Sequence, residues 1–461
     1  QNGNYGKIGF LNPSRYADQE NYDKEHSRTL VQENDVLLTI VGSIGRSAVV
    51  PPMAPKFVLQ RSVAVISTDL IPEFICNQFI SPICMRYFDK HAKGTAQKGI
   101  YLGKLSLMLL VIPPLDEQQR IVAKVDELMG LCDALEAQTE NSITAHQTLV
   151  EVLLEALLQA PEQTATSEQA TAQFQQNWQR SSEHFDTLFT TTASIDTLKQ
   201  TILQLAVMGK LVPQNPNDEP AAKLLERIAA EKAQLIKDKK IKKQKAYIDF
   251  EGLDSLKGSI PSSWEWVRLA DTAELVRGGS PRPAGDPKFY GGNIPFLKVA
   301  DITRKSSKFV EGYNSTITEA GLHKTRLIET QTVLLSNSGA TLGIPAICQF
   351  PATFNDGVAA FIEKSSCVYD EYLYLYLSTL TKWFLDIASR GQGQPNLNTD
   401  IIKATWFALP PLEEQHRIVA KVDELMSLCD KLKARLTDAQ TTKLHLTDII
   451  VESAVFEGKK S

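Results

Sequence analysis

Between Ile121 and Leu135, apolar residues fall at Ile121, Val125, Leu128, Cys132 and Leu135, intervals of four, three, four and three. The same intervals separate Ile418, Val422, Leu425, Cys429 and Leu432. Alternating steps of three and four lay one apolar stripe along a helix, the a/d seam of a coiled coil. Each stripe has a clear start. Pro113-Pro114 and Pro410-Pro411 force an extended entry, because the residue before a proline is pushed out of the α region. Asp116-Glu117 and Glu413-Glu414 put acid in the first turn, where the helix dipole favours it. No proline interrupts from Asp116 to Ala160, and only Gly130 weakens the run. About 45 residues at ~1.5 Å each predict a rod of roughly 65–70 Å, stopped by Pro161, with Gly458 where the second would end.

Elsewhere the pattern is shorter. VLLTIVGSIGRSAVV (36–50) and VLLSNSGATLGIPAIC (333–348) predict strand, glycine turn, strand. Residues 194–209 predict an amphipathic helix closed by Gly209, residues 221–247 a charged helix ending in KDKKIKKQK, and residues 371–389 one more helix. Tyr372, Tyr374 and Tyr376 on that last helix suit packing. Residues 161–185, rich in Gln, Thr, Ser and Ala, suit a loose linker.

The two seams belong to a larger repeat. PPLDEQQRIVAKVDELMGLCD (113–133) and PPLEEQHRIVAKVDELMSLCD (410–430) differ at three of 21 positions, at an offset of 297. At that offset Val36-Leu37-Leu38 falls on Val333-Leu334-Leu335, Gly42 on Gly339, and Gly45 on Gly343 after one insertion. Gly94 and Gln97 fall on Gly391 and Gln394, and Leu149 and Leu154 on Leu446 and Val451. The chain is two copies of one unit, each a globular head followed by a long helix. The helices are nearly identical and the heads have diverged, so one shared docking role and two different recognition roles are expected. A single such seam suits a dimerisation coiled coil; two in one chain also allow them to pair internally and antiparallel, holding the heads apart. The predicted architecture is α+β, divided into a first head at 1–112, a long helix at 113–160, a connector at 161–258, a second head at 259–409 and a second long helix at 410–461.

Composition narrows the class. Of the 461 residues, 43% are hydrophobic and 22% charged, as in globular proteins, and no apolar run reaches the roughly 18–20 residues of a membrane span. The six cysteines form no CxxC pair and the seven histidines have no ligand spacing, which suits reduced thiols in cytoplasm and no metal. The net charge of −5 is unevenly spread. Residues 1–112 carry 12 basic and 9 acidic side chains, a net of +3, whereas residues 113–160 carry 2 and 9, a net of −7. That polarity puts nucleic acid at the heads and protein on the rods. Each head has a loop to match. GQGQPNLNTD (391–400) is dense in amides, with Gln392, Gln394, Asn396 and Asn398 alternating between Arg390 and Lys403. Its counterpart, GTAQKGIYLG (94–103), carries Gln97 and Lys98, with Lys93 and Lys104 beside it. Amides read adenine edges, and lysines read guanine or phosphate, although a capped surface loop has the same composition. Arg46 in the first glycine turn, with Arg277 and Arg282 early in the second head, completes the candidate DNA-contacting set. There is no phosphate loop, nucleophile elbow, HExxH pair or Asn-Pro-Pro-aromatic run, so no catalytic constellation.

Taken together, the residues resemble the specificity subunits of type I restriction–modification systems. The resemblance rests on PPLDEQQRIVAKVDEL and PPLEEQHRIVAKVDEL, each behind a divergent head, on LKQTILQLAVMGKLVPQNPNDEPAAKLLERI (198–228), on IPSSWEWVRLADTAEL (260–275) and on GQGQPNLN. It implies two target-recognition domains separated by two long helices in an antiparallel coiled coil. It implies recognition of a split target on double-stranded DNA, docking of two methyltransferase subunits, and association with restriction–translocase subunits. It also implies that no catalysis and no cofactor belong to this chain, and that S-adenosylmethionine, ATP and Mg belong to the partners. A coiled-coil adaptor with protein-binding heads is the alternative, against which the amide and lysine loops count. The second unit opens near Trp264, whose counterpart would precede Gln1, so the start of the first head is expected to lie outside this sequence.

Overall fold

Residues 16–94, 98–158, 173, 175–180, 183–243, 246–248, 252–304, 306–388 and 396–457 are described by the structure, a computed structural model. The chain is α+β and divides into two compact units, Gln1–Thr144 and Ala145–Ser461.

The first unit opens with α1 (Gln19–Thr29), capped by the Asp18 carboxylate. Strands β1 (Val36–Thr39), β2 (Ser47–Val49) and β3 (Val63–Ile66) form an antiparallel sheet with β1 central, Val36 lying opposite Val49 and Ile66. Helices α2 (Pro72–Phe79) and α3 (Pro82–His91) each begin with proline, tolerated where the first N–H has no partner to lose. Phe74, Phe79 and Phe88 from these helices join Val36 and Leu38 in the core. The short α4 (Leu102–Leu105) leads to α5 (Leu115–Leu158).

In the second unit, α6 (Phe185–Leu188), α7 (Thr192–Val207) and α8 (Ala221–Lys237) precede the head. Of the expected linker, residues 175–180 are helical. Gly209 closes α7 at φ +69°, and Lys210 N–H returns to the Leu205 carbonyl at 3.0 Å, the expected C-terminal cap. The charged helix stops at Lys237, ten residues short of expectation. Lys239 takes φ +59°, and Lys240 N–H closes on the Leu235 carbonyl at 3.0 Å. Five lysines between 237 and 243 repel one another, so the basic run turns instead of propagating the helix.

The second head contains β4 (Glu265–Arg268), α9 (Leu269–Thr272), β5 (Glu274–Arg277), β6 (Tyr290–Leu297), α10 (Val299–Thr303), β7 (Thr316–Ile317), β8 (Arg326–Ile328), β9 (Thr332–Ser336), β10 (Pro345–Cys348), β11 (Ala352–Phe354) and β12 (Val358–Ile362). There follow α11 (Asp370–Thr379), α12 (Thr381–Ala388), α13 (Thr399–Ala404), β13 (Trp406–Leu409) and α14 (Leu412–Glu457). One antiparallel sheet runs β10-β9-β12-β5; a second runs β7-β6-β11-β8 with β6 and β11 parallel; β13 pairs with β4. Both glycine turns are strand, turn, strand, as their sequences predict. The helix expected over 371–389 is two, broken at Leu380. The break lets α12 seat itself under the glycine turn: Thr381 Oγ1 donates to the Gly343 carbonyl at 2.8 Å. Phe384 Cβ would lie 3.1 Å from a Cβ at Gly343, whose φ is +82°. Tyr372 and Tyr376 are buried, donating to the Ala408 and Trp406 carbonyls, so they pack.

The long helices start at Leu115 and Leu412, the same point in both repeats, and run for 44 and 46 residues, about 66 and 69 Å. Each is fastened to its own head by the glutamine of the repeated motif. Gln118 donates to the Pro113 carbonyl at 2.8 Å and accepts from Ile71 N–H at 3.2 Å. Gln415 donates to the Pro410 and Cys367 carbonyls at 3.1 and 3.0 Å and accepts from Tyr369 N–H at 2.8 Å. Ile71 and Tyr369 are the N-cap residues of α2 and α11. One side chain thus satisfies an orphan amide of the head's helix and the entry loop of the rod.

Beyond that point the two seams have different surroundings. Ile418, Val422 and Cys429 are buried, with Leu425 and Leu432 half-buried, where α14 packs along α7 and α11. Helix α7 runs antiparallel to α14, as the ion pairs Asp196–Lys433 and Lys199–Asp430 require. Leu154 and Leu157, near the end of α5, line an apolar cavity together with Leu425, Cys429 and Leu432. In the first copy, Ile121 and Val125 are half-buried, Ile121 against its own head, while Leu128, Cys132 and Leu135 are exposed.

Replacing Gln415 by Ala should leave buried backbone groups unpaired, at about 1–3 kcal/mol for each unsatisfied group. A loss of about 2 kcal/mol corresponds to a fall of roughly 3 °C in the melting of a unit the size of Ala145–Ser461. Calorimetry that finds no fall would mean that the clamp contributes nothing.

Glu414, buried at 1% exposure, accepts from Trp264 Nε1 at 3.0 Å and from Gln214 Nε2 at 2.5 Å. Burial outweighs these hydrogen bonds and raises its pKa above the ordinary 4.5. The folded chain therefore holds this proton more tightly than the unfolded chain. Its contribution is fully present below pH 4.5 and is lost as pH rises through the raised value. Urea unfolding of the Glu414→Gln chain over that range should lack this downward step; a step of undiminished size would assign it to another group.

Candidate functional site

In the second head, four loops meet at one end of the β10-β9-β12-β5 sheet. They follow β5 (278–283), join β9 to β10 (337–344), join β11 to β12 (355–357), and lead into α13 (396–398). Gly278 N–H donates to the Val358 carbonyl at 3.0 Å, and Gly279 N–H to the Phe354 carbonyl at 3.1 Å. A Cβ on Gly278 would lie 2.3 Å from the Phe354 and Asn355 carbonyls, so no larger residue fits. Asn337 N–H donates to the Gly357 carbonyl at 2.9 Å, Leu397 N–H to the Asn337 carbonyl at 2.8 Å, and Ser338 bridges Asn396.

This corner gathers four of the expected residues. Arg277 is exposed, with Nε donating to the Asp356 carbonyl. Arg282 is exposed near Tyr290, whose phenol burial pushes up in pKa while the Arg282 charge pulls it down and Asp356 adds to the rise. Asn396 and Asn398 are exposed on either side of the fully buried Leu397, as alternation in an extended segment requires. Asn398 also serves the helix that follows, since its Oδ1 accepts from Asp400 N–H at 2.9 Å and caps α13. Arg390, Gln392 and Gln394 lie outside the described residues, as does Gln97 of the first head.

The first head repeats the frame within itself. Ile40 N–H donates to the Ser62 carbonyl at 2.8 Å, Ile100 N–H to the Ile40 carbonyl at 2.8 Å, and Val41 bridges Gly99. Thr39 stands where Ser336 does: Arg46 N–H donates to Thr39 Oγ1, and Ile344 N–H to Ser336 Oγ. Into this frame are brought Arg46, Lys93 and Lys98, all exposed: Gly42 N–H donates to the Lys98 carbonyl at 2.9 Å, and Lys93 pairs with Gly99. Lys104 follows on α4, where its carbonyl accepts from Tyr87 Oη at 2.8 Å. None of Arg46, Lys93, Lys98, Lys104, Arg277 and Arg282 forms an ion pair among the described residues.

Sequence reasoning passed over other residues of this corner. Ser280 Oγ donates to the Asp356 carboxylate at 2.5 Å. Asn337 is fully buried and its amide has no partner among the described residues; the same holds for Asn355 Oδ1. Such an unpaired group costs about 1–3 kcal/mol. The signal was present at the offset of 297, where Asn337 and Ser338 stand in place of Ile40 and Val41. Among the described residues no group of three His, Cys, Asp or Glu side chains is placed to hold a metal, and no helix is long and apolar enough to cross a membrane.

The sequence model for the type I restriction modification DNA specificity domain matches residues 1–145 and 261–439. The chain is 36% identical over 392 residues to the type I restriction enzyme EcoAI specificity subunit of Escherichia coli, covering 83% of this chain and 64% of that one. It is 35% identical over 405 residues to the EcoEI specificity subunit of Escherichia coli, covering 85% and 66%. The chain thus spans slightly less than two thirds of these relatives. A chain from a solved assembly of a type I R-M system shares the fold at TM-score 0.51 and 17% identity, over 92% of this chain and 81% of that one. This chain belongs to the family of type I restriction modification DNA specificity domains.

Proposed function

We propose that the chain reads DNA with its two heads, carries the modifying enzyme on its long helices, and performs no chemistry itself. The observation that carries this reading is the duplicated loop end. In each head a rigid sheet edge presents exposed cations that no acid neutralises within the described chain, Arg46, Lys93 and Lys98 in one and Arg277 and Arg282 in the other. Phosphates would pair with these cations, and base edges with the amides beside them. The side chains differ between heads, so the target is bipartite, with unlike halves. Lys104 joins the first set, and Gln97, Arg390, Gln392 and Gln394, which lie outside the described residues, are assigned to DNA contact by their sequence alone; the heads act in cytoplasm, where DNA is reached.

The helices supply the second half of the reading. On α5, Leu128, Leu131 and Leu135 are 49, 54 and 62% exposed, and on α14 Leu446, Ile449 and Ile450 are 54, 48 and 66% exposed. Apolar stripes of this kind mark protein interfaces. Because the helices repeat one sequence, they suit two copies of one partner, a methyltransferase subunit, with restriction–translocase subunits joining the assembly. S-adenosylmethionine, ATP and Mg then belong to those subunits.

Two experiments test this. Asn396→Ala should lose about 1–3 kcal/mol of affinity for the cognate duplex and keep its non-specific binding. Arg277→Ala should weaken both alike and reduce the slope of log affinity against log salt by about one. Equal behaviour of the two variants would sink the division into base and phosphate contacts.

For the partner, native mass spectrometry should give one copy of this chain with two methyltransferase subunits. Leu131→Lys with Leu135→Lys should remove one of them, because two unpaired charges would have to be buried. Retention of both subunits by that double variant would clear this stripe of a docking role.

A further inference from the structure

Asn337 and Ile40 occupy one position of the repeated head, 297 residues apart. Their backbones make equivalent hydrogen bonds: the N–H donates to the Gly357 or Ser62 carbonyl, just ahead of the third strand, and the carbonyl accepts from Leu397 or Ile100. The frame therefore closes without any hydrogen bond from the side chain at this position, and in the first head it holds isoleucine at 8% exposure. In the second head it holds an amide at 0% exposure, with neither Oδ1 nor Nδ2 paired among the described residues. Asn355 Oδ1 is bare as well. Gly357 lies beside both loops, since a Cβ there would meet Ser338 Oγ at 2.7 Å and Asn355 Oδ1 at 3.4 Å. Three neighbouring positions have changed in the same sense: Ile40, Val41 and Gly99 have become Asn337, Ser338 and Asn396. An unpaired buried amide opposes folding, and the first head demonstrates that the fold has no use for one here. What remains is a ligand.

We infer that Asn337 is a specificity-determining residue of the second head, whose amide takes the edge of one adenine in the DNA-bound state, directly or through one water. An asparagine amide sets a donor beside an acceptor, which matches adenine N7 and N6. Ser338 and Asn396, bridged to each other, lie beside Asn337, and Arg277 and Arg282 stand at the same sheet end to hold phosphate. The amide is closed off in the free chain, so its pairing belongs to the bound arrangement of these loops. The first head, with Ile40 and Val41 there, has no amide to offer at this position and reads its half-site with other groups. The inference rests on the DNA-reading function proposed above and adds a residue and a base to it.

The test uses the full chain assembled with its methyltransferase subunits. The duplexes carry the target identified by methylome sequencing, with 7-deazaadenine replacing each adenine of the second half-site in turn. Wild type should lose about fivefold or more at one adenine, the size of a good base contact. Asn337→Ile, the residue the frame already accepts in the first head, should bind the cognate duplex about tenfold more weakly. It should ignore 7-deazaadenine at that one position, keep its sensitivity at the others, and melt no lower than wild type. Asn337→Asp separates the two routes: a carboxylate facing N7 directly would abolish discrimination there, whereas a reoriented water would preserve it, and either result supports the assignment. A uniform loss across the half-site, a lowered melting temperature with the cognate to non-specific ratio unchanged, or no sensitive adenine would overturn it. Failure of the wild type to prefer any duplex would instead overturn the DNA-reading function itself.

Discussion

A glutamine side chain with both ends occupied sets the geometry of each half of this protein. Gln118 and Gln415 accept from the N-cap amide of a head helix and donate to the proline carbonyl that starts a rod. Neither partner could be left alone, because an orphan N–H at a helix start and a buried carbonyl each need a hydrogen bond. The paired prolines hold the entry extended, so the carbonyl arrives where the amide can reach it. The direction of each rod relative to its own head is thereby fixed by hydrogen-bond valence. This explains why the PPLxEQ motif is nearly invariant between the copies while the recognition loops have drifted.

Identical helices with unlike surroundings give a clear case of context overriding sequence. Cys132 and Cys429 occupy the same heptad position; one is exposed and the other buried, its thiol pKa raised by that burial. The difference comes from α7, which lies along α14 and is held there by Lys199–Asp430 and Lys433–Asp196. Exposed ion pairs of this kind contribute little energy and mainly set register, so the apolar contacts of Leu198, Ile202 and Leu205 supply the adhesion. Glu414 follows the same logic: buried beside Trp264 it has a perturbed carboxyl, while its counterpart Glu117 is exposed.

Much of this was legible in the sequence, for identifiable reasons. The start of both rods, the strand–turn–strand units and the Gly209 cap rest on local rules: proline sterics, period and left-handed glycine. What local rules missed were events decided by tertiary packing or by charge. The break at Leu380 exists because α12 must reach Gly343, far earlier in the chain, and nothing between 371 and 389 announces it. The early stop at Lys237 reflects repulsion within a lysine run that period alone does not register. At the candidate site, Asn396 and Asn398 are exposed on either side of the buried Leu397. The cap made by Asn398 required seeing where α13 begins.

Duplication within one chain also changes what a buried polar group means. In most proteins an unpaired amide such as that of Asn337 has no reference, because nothing shows how the same fold behaves with an apolar residue at that position. Here the first head is that reference, with the same strands, the same backbone hydrogen bonds and isoleucine in place. Positions where the two heads agree, Gly42 with Gly339 and Thr39 with Ser336, are those the turn itself needs. Positions where they diverge from apolar to polar, without any new hydrogen bond to compensate, cannot be explained by the needs of the turn. On the function proposed above, recognition chemistry is the demand that accounts for them, and the divergence falls at the sheet end where Arg277, Arg282 and Asn396 also gather.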